Sequence, residues 1–171
     1  MLVIVICFVL LAFSIVYWTL RLGISPMPTG SKTKKCLLDA LPSECTGKIV
    51  ELGSGWGNLA WSLAKKYPHA TVVGYEMSPI PYFVSKLCLH APNLHFERRD
   101  FFDVSLEDAT LVVCYLYPKA MQRLKDKFER ELVAAAIVAS HTFAIPGWDP
   151  TKTLRVDDMY KTFVYFYVKK P

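Results

Sequence analysis

The sequence predicts an α/β domain: a parallel sheet with helices on both faces and an antiparallel hairpin at its end, carried behind one membrane-spanning helix. Three observations predict it. Residues 2–20 hold no charged side chain. From residue 48 onward, short apolar runs alternate with amphipathic stretches, strand then helix, the pattern of crossover connections in a parallel sheet. The last two strand-like runs, residues 153–156 and 162–168, are separated only by residues 157–161, too few for a crossover, so one of them runs antiparallel.

The apolar segment 2–20 would span roughly 28 Å as a helix, close to the bilayer core of about 30 Å. Tyr17 and Trp18 sit near its end, where aromatic rings favour the headgroup layer, and Arg21, Lys32, Lys34 and Lys35 follow. A cleaved signal peptide would need a basic leading segment and a small-x-small cleavage site, and neither is present. The expectation is a single-pass anchor in contact with lipid, its domain on the cytoplasmic side of a bacterial inner membrane or, alternatively, in a mitochondrial inner membrane. Those four basic residues account for most of the net charge of +5 and serve as topology signal and anionic-lipid contact. The remaining charge is mixed: residues 125–131, KDKFERE, alternate in sign at helical spacing and form a solvated face. No basic stripe interleaved with aromatics remains for nucleic acid. Cys7, Cys36, Cys45, Cys88 and Cys114 form no C-x-x-C pair, and His69, His90, His95 and His141 lack metal-site spacing. Reduced thiols and no bound metal are expected.

Residues 24–35 read as a Pro/Gly/Ser/Thr-rich connector, and 36–41 as a short helix stopped by Pro42. Strands are expected at 48–52, 71–75, 94–97, 110–116 and 134–142, with helices at 58–66, 80–89 and 119–132 between them. With residues 153–156 and 162–168 this makes seven strands.

Ligands of an open α/β sheet bind beyond the carboxyl ends of its strands. The first strand ends at Glu51-Leu52, and Gly53, Ser54, Gly55 and Gly57 follow at once. The spacing is tighter than the dinucleotide fingerprint G-x-G-x-x-G, and suits an amino acid or nucleoside better than a pyrophosphate. Glu51 either belongs to this site or ties the turn through backbone N–H groups, and Trp56 is either contact or packing. Glu76 ends the second strand and can accept both hydroxyls of a ribose. After the third strand, in RRDFF, Asp100 can accept an exocyclic amine and Phe101 can cover a base. Three successive strand tips thus carry anchors in the order expected for adenosine attached to an amino acid.

With these residues in hand, the chain resembles the class I S-adenosylmethionine-dependent methyltransferases. E-L-G-S-G-x-G looks like their first motif, Glu76 their ribose-binding acid and Asp100 their adenine-contacting acid. The resemblance implies a Rossmann-like seven-strand methyltransferase sheet, with S-adenosylmethionine as cofactor. It divides the chain into an anchor at 1–21, a connector with a short helix at 22–47 and a methyltransferase domain at 48–171. The anchor, the P-x-P-T connector ending at Thr29, CYLYPKA at 114–120 and FAIPGW at 143–148 resemble a narrower group. These are the membrane-anchored protein-lysine methyltransferases of the adenine nucleotide translocase and the ATP synthase c-subunit, with their prokaryotic relatives. That likeness implies a cofactor role for Thr29 and a protein substrate at or near the membrane. Where that group shows G-S-G-D-G-R, this chain has Trp56 and Asn58.

The reaction implied is in-line methyl transfer to a neutral amine, in which positioning carries most of the catalysis. Tyr115 and Tyr117 can line an aromatic channel and attract an ammonium stem, or simply pack. Tyr115 and His141 are the candidate bases for removing a lysine proton from a pKa of about 10.4. Two other functions fit the same residues: a small-molecule or lipid-headgroup N-methyltransferase, and a membrane-tethered cofactor-binding protein without transfer activity.

Overall fold

The computed structural model describes residues 1–23 and 25–171; Ile24, in the expected connector, and the side chain of Cys7, in the expected anchor, lie outside the described residues. Helix α1 runs Leu2–Leu22 and is closed by Gly23, whose φ of 72° lets its N–H reach Thr19 O at 2.9 Å. It is long and apolar enough to cross a membrane, and it is unburied by the rest of the chain. Helix α2 spans Ser31–Ala40 rather than 36–41. Ser-Lys-Thr-Lys-Lys contains no breaker, so once Gly30 caps the helix nothing delays it. Thr33, within the expected connector, is buried as α2 begins, and Leu37 and Leu41 of the expected helix join the core.

The strands are β1 (Gly47–Leu52), β2 (Ala70–Tyr75), β3 (Leu94–Glu97), β4 (Ala109–Cys114), β5 (Ile137–His141), β6 (Lys152–Arg155) and β7 (Phe163–Val168). Between them lie α3 (Asn58–Lys66), α4 (Pro79–Cys88) and α5 (Pro118–Glu131). Helices α4 and α5 each begin on a proline, whose missing N–H is no loss in a first turn. Strand β5 starts three residues later than expected because Ala135 takes a left-handed φ of 67°, which no strand accommodates.

The seven strands form one sheet in the order β3-β2-β1-β4-β5-β7-β6. Strands β1 to β5 are parallel, while β7 pairs antiparallel to both β5 and β6. Alternation along each strand feeds two cores. Ile49, Val72, Leu111 and Val113 pack under α2, α3 and α4; Val50, Val73, Val112 and Val138 pack under α5 through Met121, Leu124 and Phe128. The parallel strands have their carboxyl ends on one edge, and the strand order reverses there between β1 and β4.

Candidate functional site

Connections leaving β1 and β4 go to opposite faces of the sheet, and a crevice opens between them. The turn at residues 53–57 forms one wall. Gly53 and Ser54 N–H groups both donate to Tyr75 O at 2.9 Å, which pins the turn to the end of β2. Gly55 N–H donates to Glu76 Oε2 at 2.8 Å, and Ser78 N–H to Glu76 Oε1 at 2.6 Å. The buried Glu76 carboxylate therefore ties the glycine turn to the start of α4. Two glycines in the turn do different work. A Cβ on Gly55 would meet nothing within 4 Å, so its backbone is open to a ligand. A Cβ on Gly57 would stand 2.6 Å from the Phe96 ring and 2.8 Å from Ser85, so Gly57 is required by packing.

A cavity of about 250 Å³ occupies the crevice. Gly53, Gly55, Glu76, Asp100 and Phe101, after β1, β2 and β3, line it together with Tyr115 and Tyr117, after β4 on the other side of β1. Seven residues singled out in the sequence are thus brought together. Asp100 also accepts from Phe102 N–H at 2.9 Å, capping the short 3₁₀ turn that carries Phe101. The cavity carries charges of both signs: Arg21, Arg123, Glu76 and Asp100 all belong to its lining. Arg123 lies 3.7 Å from the centre of the Phe102 ring.

Five of the singled-out residues lie outside the lining. Glu51, on the α3 face of β1, accepts from Ala60 N–H at 2.7 Å in the first turn of α3 rather than from the glycine turn. Burial pushes its carboxyl up to about 8; the Ala60 N–H opposes this and the charge of Glu76 adds to it. The Ser54 hydroxyl is buried, and has no hydrogen-bond partner among the described residues. Gly57 packs as described. Thr29 approaches His141 instead, Oγ1 to Nε2 at 3.4 Å. His141 is buried at the end of β5, and its ring stacks on Tyr115 at 4.3 Å and 13°. Burial pulls the His141 pKa down to about 4, so the imidazole is neutral at physiological pH. The Phe143 ring lies nearly parallel to Tyr115 at 6.5 Å.

Sequence reasoning did not find one wall of the site. Arg21, Leu22, Ser25, Pro26 and Met27, from the end of α1 and the segment after it, also line the cavity. Trp56 Nε1 donates to Pro26 O, and Asn58 Nδ2 to Thr29 O at 3.0 Å. The side chains at the two positions that depart from G-S-G-D-G-R therefore latch this strap to the glycine turn. The Tyr117 ring lies against Gly23, where a Cβ would come within 3.2 Å of Cζ. These contacts cross about thirty residues or more of sequence, so no local pattern announces them.

The arrangement fits a zwitterionic nucleoside–amino acid. It offers acidic acceptors at two strand tips, an aromatic ring for a base, open backbone at Gly55 and a separate aromatic region. Residues 51–152 match the family described as the ANTKMT methyltransferase domain. The adenine nucleotide translocase lysine N-methyltransferase of Mus musculus is 36% identical over 110 residues, 61% of this chain and 47% of that protein. The chain therefore spans about half the length of the mouse relative. A protein-lysine N-methyltransferase of Saccharolobus islandicus is 28% identical over 148 residues, covering 83% of this chain and 91% of that one. Among solved structures, an RNA methyltransferase of Salinibacter ruber in complex with S-adenosyl-L-homocysteine superposes with a TM-score of 0.76 at 26% identity. The match covers 84% of this chain and 94% of that one.

Proposed function

The chain belongs to the ANTKMT methyltransferase domain family, and from that premise we propose that it methylates the side-chain amine of a protein lysine presented at a membrane surface. The observation that carries the reading is one cavity with two chemically different regions. One is acidic and open-backboned, at Gly53, Gly55, Glu76 and Asp100; the other is aromatic, at Tyr115 and Tyr117.

The methyl donor is S-adenosylmethionine, which when bound supplies a sulfonium-activated methyl group. Glu76 would accept its ribose hydroxyls, Asp100 its adenine amine, and Phe101 would cover the base. Glu51 and Gly57 support this region from beneath, one through Ala60 N–H and one through Phe96. Tyr115 and Tyr117 would wall the approach of the acceptor, attracting an ammonium stem through their ring faces. Leu22, Pro26, Met27 and Leu116 add apolar surface to the same cavity. Desolvation by such walls disfavours an ammonium and brings a lysine closer to its neutral, nucleophilic form. His141 is a weak base at a pKa near 4 and lies outside the cavity lining. Its role is to position Tyr115 by stacking and to hold the strap through Thr29.

We further read α1 as a transmembrane anchor, on its length, its apolar composition and its lack of burial. A lipid-headgroup amine is the second acceptor reading, favoured by one observation: Arg21 and Leu22, at the end of that helix, stand in the cavity wall. The experiment that decides is incubation of native membranes containing the full chain with methyl-labelled S-adenosylmethionine. Label in protein, recovered as methyl-lysine and lost in Tyr115→Ala, supports the lysine reading. Label that extracts wholly into the lipid phase replaces it with the headgroup reading.

A further inference from the structure

Helix α4 carries two apolar stripes where a domain helix needs one. Pro81 and Tyr82 are buried against the core, with Ser85 below them. Ile80, Phe83, Val84 and Leu87 recur at i, i+3, i+4 and i+7 and form a second stripe turned away from that core. Phe83, Val84 and Leu87 are 53%, 39% and 72% exposed.

The stripe begins where α4 meets α1. Ser14, Ile15 and Trp18 of α1 share a narrow groove with Pro79, Ile80 and Pro81. The exposed apolar surface of α1 and the outer stripe of α4 are therefore continuous. Basic groups gather at the junction. Arg21 and Arg98 lie 5.2 and 6.0 Å from the centre of the Trp18 ring. Lys86 flanks the stripe, bonded to Tyr82 Oη at 2.9 Å. Tryptophan flanked by arginine is the pairing that favours the membrane–water boundary. Depth agrees as well. Ile15 precedes the end of α1 at Leu22 by seven residues, about 10 Å of helix. An interfacial helix seats its apolar face about 5–10 Å into the headgroup and acyl boundary.

We infer that α4 lies in the membrane interface as a second lipid contact. Phe83, Val84 and Leu87 enter the headgroup–acyl boundary of an anionic leaflet, and Arg21, Arg98 and Lys86 meet its phosphates. The inference rests on α1 spanning the bilayer. A single helix leaves a domain free to swing about its tether; a second contact fixes which side faces the lipid, and it faces the wall formed by Arg21, Leu22 and Met27 toward the membrane plane.

The test uses the full chain reconstituted in phosphatidylcholine–phosphatidylserine vesicles, with a photoreactive diazirine residue at Phe83, Leu87 or Val133. Val133 is exposed just after α5, the helix on the other face of the sheet from α4. The expected result is vesicle flotation, lipid adducts at Phe83 and Leu87, and none at Val133. A chain that floats but gives only protein adducts or no adduct at Phe83 and Leu87, or equal lipid adducts at all three positions, overturns the α4 contact and leaves the anchor intact. A chain that does not float overturns the anchor and this inference with it.

Discussion

Replacing Glu76 with glutamine preserves shape and tests what the carboxylate does. Both oxygens already accept a backbone N–H, Oε2 from Gly55 at 2.8 Å and Oε1 from Ser78 at 2.6 Å. The side chain is buried, at 6% exposure, so water does not easily substitute. Whichever way a glutamine amide turns, its NH₂ meets one of these two donors. The variant loses one charge-assisted bond, worth about 1.5–3 kcal/mol, and leaves a buried N–H unsatisfied at about 1–3 kcal/mol. Because both effects fall on one turn they do not add fully, and a combined loss of about 2–4 kcal/mol is expected, shared between folding and ligand affinity. That is roughly one and a half to three orders of magnitude in an equilibrium constant. Urea denaturation of the detergent-solubilised full chain measures the first share, and calorimetric titration with S-adenosylhomocysteine the second. Glu76→Gln with wild-type stability and affinity would refute the reasoning. Lost stability with unchanged affinity would make Glu76 a brace for the turn and remove it from the ribose site.

Glu51 sets a pH dependence. Its folded pKa of about 8 exceeds the ordinary 4.5, so the fold prefers the neutral carboxyl. Stability is full below the unfolded value and is lost as pH rises through the folded one, by an amount on the order of a few kcal/mol. Thermal unfolding followed across this window should show the fall, and Glu51→Gln should flatten it; a wild-type profile already flat contradicts the assignment. His141→Ala should lower kcat/KM by loosening Tyr115, a stacking effect of about 0.5–1.5 kcal/mol, without removing a limb from the pH–rate profile. Disappearance of the acid limb of the profile would instead make His141 a base. Trp56→Phe keeps an aromatic ring, though a smaller one, and deletes the donor to Pro26 O, so amide exchange across the strap should quicken roughly 2- to 12-fold, the scale of one net hydrogen bond. Unchanged exchange would mean the strap is held by other contacts.

The strand tips were legible because each anchor announces itself by type and place. A glycine turn directly after an apolar run, an acid closing the next strand, and Asp-Phe after the third are local signals, and all of them line the cavity except Ser54, Trp56 and Gly57. What escaped was long-range. Gly57 looks like its neighbours in sequence, and only the Phe96 ring across the sheet distinguishes its duty. Glu51 bonds into α3 because strand alternation turns it to that face, where Ala60 N–H is the nearby donor. Helix α2 starts five residues before the expected Cys36 because Ser, Thr and Lys, although common in linkers, are not breakers, and Gly30 is the last one before it. The contacts that hold the strap carry no local signal: Pro26 and Thr29 are held by Trp56 and Asn58, whose identities say nothing about a partner thirty residues away.

That strap changes how the first helix should be treated in the laboratory. Met27 and its neighbours belong at once to the segment leaving α1 and to the walls of the cavity. Cutting the chain there to obtain a soluble enzyme would discard part of the pocket along with the hydrophobic segment. Weak binding by such a fragment would report an incomplete vessel rather than a poor ligand. The same continuity makes the position of the helix a variable of the chemistry. With α1 as the anchor proposed above, bilayer thickness, tilt or a neighbouring helix that shifts it by even a fraction of a turn would reshape this cavity.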